Sequence, residues 1–227
     1  MINLSPFFSF FICCAFSLFL SLAASRFIDY LYRKNAVPAR TSRLRPPFLP
    51  LVFWVCGALL LAKAGGPSLL PVATAAPIEK AAFPLLLPVL FLLVVITVTD
   101  WEQRLIFNDA TLLLAFFGLA RSIAASYEAA SCVPLLEHLA AAVAGGLPFL
   151  LLALLTKGGV GGGDVKLIAA LGLWFGPARL ADVVFSGVCF GGGVTLILLL
   201  TGLKQRKDTF AYGPFFTLSA LYFLLVG

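Results

Sequence analysis

The chain has 227 residues, of which 61% are hydrophobic and only 11% charged. Soluble domains run near half apolar and about a quarter charged, so a soluble fold could not cover this much apolar surface. The same figures exclude a disordered chain, a coiled coil and a disulfide-rich secreted scaffold, which leaves an integral membrane protein embedded in a lipid bilayer. The net charge of +6 would suit a nucleic-acid binder among soluble chains. Here no nucleic acid is expected, and the placement of the charges between apolar segments is what informs.

Segments of roughly 17–25 apolar residues can cross a bilayer as helices. In chain order the candidates are 6–24, 48–62, 81–99, 110–125, 139–156, a short 165–175, 183–203 and 209–227. The expected fold class is therefore all-α, a polytopic membrane helix bundle of about eight spans. Cytoplasmic loops are enriched in Lys and Arg. With the N-terminus outside, the inner loops hold Arg26, Arg33, Lys34, Arg40, Arg43, Arg45, Arg104, Lys157, Lys166, Lys204, Arg206 and Lys207. The outer loops then hold Lys63, Lys80, Arg121 and Arg179, a division of 12 against 4. Were the short sixth segment not to cross, the division would weaken to 10 against 6, so eight crossings with both termini outside is the better reading. Arg121 interrupts the fourth segment and is expected to snorkel from a helix end. The first segment has no Lys or Arg in Met1 to Ser5 and an Arg-rich stretch after it, so it reads as a retained span and not as a signal peptide.

The cysteines and the single histidine add little chemistry. Cys13, Cys14, Cys56 and Cys189 lie in apolar segments, Cys132 lies in an expected outer loop, and no C-x-x-C pair supports a thiolate zinc site. Neither a metal nor another cofactor is called for. His138, beside Glu137 at the start of the fifth segment, reads as an interfacial residue.

Charge is expensive inside lipid, so acids at helix ends and in tight loops are the ones to question. Most of the ten acids read as loop solvation. Asp100 does not, because it follows the apolar run 91–99 with no turn residue between, and its anionic form would oppose the dipole of the helix it ends. Asp164 follows the glycine-rich run 157–163, which includes Gly161 and Gly163, and precedes Val165 and Lys166. Such a run permits backbone angles closed to other residues and close approach of another chain. A phosphate-binding loop is the rival reading, but an acid stands where that loop needs a cation, and no G-K-[ST] follows.

Both acids fall on the cytoplasmic side by the charge division. Two carboxyls within hydrogen-bond reach share one proton, so one can act as general base on water while the other polarises a peptide carbonyl. That is aspartic peptidase chemistry, and it requires no Ser or Cys nucleophile. Lys166 could favour ionisation nearby or meet a lipid headgroup.

The segment 159–172, Gly-Val-Gly-Gly-Gly-Asp164-Val-Lys-Leu-Ile-Ala-Ala-Leu-Gly, resembles the G-x-G-D signature of the type IV prepilin peptidases and preflagellin peptidases. The segment 100–108, from Asp100 to Asn108, resembles their other signature, an Asp followed after six residues by Pro and then Asn or Asp. Similar stretches occur at 24–33 and 211–215, in the family's order. The resemblance implies one transmembrane peptidase domain over 1–227 that removes the short basic cytoplasmic leader of type IV prepilins or pseudopilins. It implies Asp100 and Asp164 as the catalytic pair, with Gly161, Gly163, Lys166 and Asn108 in supporting positions, and localisation in the cytoplasmic (inner) membrane. Phe107 stands in place of the usual Pro, which leaves the turn after Asp100 less constrained. The cytoplasmic loop with two C-x-x-C pairs found in many members is absent, so this looks like a short form. The N-methylation that many full-length members also perform is not carried over. Nothing in the sequence sets an oligomeric state or selects one pilin-like substrate.

Other classes fit less well. Presenilin-like peptidases share the G-x-G-D loop but carry a Pro-Ala-Leu motif, and Gly213-Pro214-Phe215 is not that motif. A membrane acyltransferase would need phosphate-binding cations by the glycines, where only Lys157 and Lys166 stand. A channel or carrier would use Asp100 and Asp164 on a proton or cation path, but no repeat of broken spans supports it.

Overall fold

The computed structural model describes residues 6–38, 45–63, 83–156, 159–203 and 211–225. These form seven helices: α1 (Pro6–Lys34), α2 (Arg45–Lys63), α3 (Phe83–Gln103), α4 (Asn108–Glu128), α5 (Val133–Leu155), α6 (Gly162–Leu200) and α7 (Gly213–Leu225). No strand occurs among the described residues, so the all-α expectation holds. Four helices are long and apolar enough to cross a membrane: α3 from Leu85, α4, α5 and α6. Of the charges used to orient the chain, Arg40, Arg43, Lys80, Lys157, Lys204, Arg206 and Lys207 lie outside the described residues.

The chain divides into two compact units, one of residues 1–79 with 224–227 and the other of residues 80–223. In the first, α1 ends in a Schellman turn. Ala36 takes a left-handed φ of 53°, and the Ala36 and Val37 N–H groups return to the Arg33 and Tyr32 carbonyls. Arg45 opens α2 with its side chain buried, donating to Asp29 Oδ1 at 2.7 Å and stacking over the Tyr32 ring at 5.6 Å. Asp29 is thus a member of α1 that neutralises a buried cation. It is not the solvated loop acid that the sequence suggests, because burial of Arg45 requires a paired charge.

In the second unit α3 is buried through Val89–Val98 on nearly every side. The tight packing of α4, α5 and α6 follows from small residues, as membrane helices require. A Cβ on Gly118 would meet the Leu173 and Trp174 backbone at 2.9 Å, and one on Gly172 would meet the Ala142 backbone at 2.7 Å. Helix α6 breaks at Gly176, whose φ of 71° and ψ of −179° are open to glycine almost alone, and Pro177 follows. The break folds the chain back, so that Ile168 and Leu180 on its two sides both press on Gly145 of α5. The second arm then pairs with α7: Ser219 donates to the Val183 carbonyl at 2.9 Å, and Phe216 fills the space beside Gly187. The expected sixth and seventh segments are these two arms, 162–175 and 177–200.

Proline has no N–H, so a break at Pro177 leaves helix carbonyls unbonded. His138 in α5 takes the Leu173 carbonyl with Nδ1 at 2.7 Å. Arg121 in α4 donates to the Trp174 carbonyl and lies over the Trp174 ring at 5.3 Å. Beyond the membrane-boundary positions expected of them, Arg121 and His138 each satisfy backbone that α6 leaves open.

Candidate active site

One end of the second unit gathers the last turn of α3 and the first turns of α4, α6 and α7. Asp100 stands in that last turn of α3, where Arg104 adopts φ 54° and returns its N–H to the Asp100 carbonyl at 2.8 Å. This left-handed cap stops α3 and turns the chain into α4 within four residues. Phe107, the N-cap of α4, has φ −72° and is buried. That φ lies inside the window to which a proline ring would lock it, so the turn keeps a proline-like backbone without the ring.

Asp164 lies in the first turn of α6, after the extended N-cap Gly161. Its carboxyl reaches back to Gly161, whose absent Cβ would fall 3.2 Å from Oδ2, and the Gly161 backbone bonds to it. This is the reciprocal half of a capping box, and it explains locally why an acid follows the glycines.

The carboxyls of Asp100 and Asp164 are near enough to feel each other's charge, and Arg104 also acts on Asp100. Asp100 is only 4% exposed, and its Oδ2 is buried with no hydrogen-bond partner among the described residues. A buried carboxyl oxygen left unsatisfied costs roughly 1–3 kcal/mol, which a structure tolerates most readily at a working site.

Four neighbours complete the site. Gly213, the first residue of α7, packs on Asp100, and an added Cβ would fall 3.0 Å from the carboxyl carbon and closer still to Oδ2. Ile106 wedges between Gly163 and Gly213, at 3.0 Å from where either glycine would carry a Cβ. Below them, buried Thr97 of α3 donates to Thr217 of α7 at 2.7 Å, and Thr217 bonds in turn to the Gly213 carbonyl at 3.0 Å. The structure thus brings Asp100, Asp164, Gly161 and Gly163 together. Lys166 and Asn108 instead meet each other, Nζ to Oδ1 at 2.9 Å, both exposed. Among the described residues no three His, Cys, Asp or Glu side chains gather as metal ligands would. Sequence reasoning missed Ile106, Thr97 and Thr217; the signal for Gly213 was Gly-Pro at a helix start after an aromatic residue.

Fold and site together define a multi-pass helical membrane protein with two interacting carboxyls at one end of its bundle. Residues 87–197, which include both acids, match the family model described as the type IV leader peptidase family. It is 32% identical over 139 residues to the prepilin leader peptidase/N-methyltransferase of Bacillus subtilis (strain 168), covering 60% of this chain and 53% of that one. Identity to the protein of the same name from Neisseria gonorrhoeae is 34% over 132 residues, covering 56% and 43%. A leader peptidase HopD of Escherichia coli is 40% identical over 60 residues, or 26% of this chain and 39% of that one. The chain spans about half the length of the first of these curated relatives. No solved structure matches it.

Proposed function

We propose that the protein is a membrane aspartic endopeptidase that removes the leader of type IV prepilins or pilin-like secretion proteins, with Asp100 and Asp164 as the catalytic pair. The observation that carries this reading is the approach of two carboxyls from separate helix ends, one buried with an unbonded oxygen, inside the segment that matches the leader peptidase family. One ionised carboxylate takes a proton from a water molecule while its protonated partner hydrogen-bonds the scissile carbonyl. The water oxygen adds to the carbonyl carbon and the peptide C–N bond breaks. The amine leaves with the proton first drawn from water, and the pair returns to one shared proton. Gly162, with nothing within 4 Å of where a Cβ would stand, leaves room for substrate backbone beside Asp164, while Gly161 and Gly163 let Asp164 and Ile106 pack close.

The finer arrangement is part of the same proposal. It comprises one transmembrane domain over 1–227, eight crossings with the arms of α6 counted separately, both termini outside, and the pair at the cytoplasmic face of the cell membrane. Its support is the 12 to 4 division of Lys and Arg.

The test is cleavage of a pilin-like precursor in membranes, read as a mobility shift on a gel. Asp100→Asn and Asp164→Asn are each expected to abolish it, since a general acid–base group contributes ~10²–10⁴-fold. Full processing by either variant at matched abundance would remove the pair from the mechanism.

A further inference from the structure

A groove of about 420 Å³ opens between α4, α5 and α6, with Asn108 and Lys166 at one end and Ala115, Ala142, Ala169 and Leu173 along it. Lys166 is the one cation in its lining. Asn108 and Lys166 stand in the opening turns of α4 and α6, two of the four helices suited to crossing a membrane, so they lie at headgroup depth while the alanines face acyl chains. An ammonium has three N–H donors, and Asn108 Oδ1 accepts one of those of Lys166. The groove is also turned away from the carboxyls. Lys166 follows Asp164 by two positions, about 200° around the helix, and it reaches Asn108 while Asp164 faces Asp100.

We propose that this groove binds one anionic phospholipid, its phosphate on Lys166 and Asn108 and an acyl chain over the alanines. The occupant follows from charge and depth: a cation and an amide at a helix end beside an apolar channel match an anionic headgroup carrying a chain. Such a lipid would brace α4 against α6 without entering the paired-carboxyl site. The inference stands apart from the peptidase reading, because binding requires no cleavage.

Native mass spectrometry of the full-length chain from detergent, titrated with dioleoylphosphatidylglycerol or dioleoylphosphatidylcholine, tests it. The wild type is expected to retain one phosphatidylglycerol in preference to phosphatidylcholine, and Lys166→Gln to weaken that retention about fivefold. Ala169→Phe, which fills the channel, should weaken retention of both lipids. Because a bulky substitution can disturb folding, Lys166→Gln at the exposed end serves as the independent variant, with circular dichroism checking helix content in both. Glycerol 1-phosphate, a headgroup without chains, should not compete. Equal retention of the two lipids, or unchanged phosphatidylglycerol binding in Lys166→Gln, overturns the proposal. Crosslinking of a pilin-like precursor from a photoreactive residue at position 112 would also overturn it, by giving the groove to a substrate helix.

Discussion

Gly213 packs on the Asp100 carboxyl so closely that a methyl group there would fall 3.0 Å from both the carboxyl carbon and Ile106 Cδ1. Gly213→Ala must therefore move either the start of α7 or the Asp100 rotamer. Misplacing a reacting group by about 1 Å can cost as much as a hundredfold in rate. Initial rates of precursor cleavage should fall by at least about tenfold in Gly213→Ala, whereas Gly192→Ala, which meets nothing within 4 Å, should match wild type. In the proposed mechanism a shared proton sets the pH dependence. At low pH both carboxyls are protonated and no base remains, and at high pH both are ionised and no acid remains, so the rate profile should be bell-shaped. A rate that only rises with pH would point to a lone carboxylate base. Asp100 and Asp164 are legible in the sequence because charge at a lipid boundary asks for a reason and glycines crowd beside one of them. Ile106 and Thr217 are not, since Ile is unremarkable in an apolar chain and Thr217 acquires its partner only when α7 returns to α3.

At the scale of an element, the break in α6 is the feature that composition half reveals. Gly176-Pro177 divides two apolar runs, which is why two segments are expected there and two arms are found. The partners of the break cannot be read the same way, because Arg121 and His138 belong to other helices and bond to backbone rather than to side chains. Gly176→Ala forces a side chain into a glycine-only conformation and sets a Cβ 3.1 Å from His138 Nε2. It should destabilise the protein by about 1–3 kcal/mol, seen as a lower thermal unfolding midpoint in detergent. His138→Phe orphans the Leu173 carbonyl and should lower the midpoint by a similar amount, about 1–3 kcal/mol, while cleavage in the cold stays at the wild-type rate. Lost cleavage in a fully folded His138→Phe would make the histidine part of the chemistry.

For the whole molecule, orientation is the property that the charges address most directly. Cys132 lies exposed in the turn between α4 and α5, at the end of the unit opposite to Arg104. With the other cysteines replaced by serine, Cys132 should react with an impermeant maleimide added to intact cells. Arg104→Cys in a Cys132→Ser background should react only once the cytoplasmic face is opened. The reverse pattern would invert the topology. The first arm of α6 bears on the membrane in another way. Its residues 162–175 rise only about 21 Å, well short of the ~30 Å hydrocarbon core. If this arm crosses on its own, as the eight-crossing proposal has it, the surrounding lipid must thin beside it or headgroups must dip toward the break, where Arg121 and His138 offer polar anchors. Hydrophobic mismatch is then built into the bundle, and the thinned bilayer brings water of the opposite face closer to the paired carboxyls than a bilayer of full thickness would.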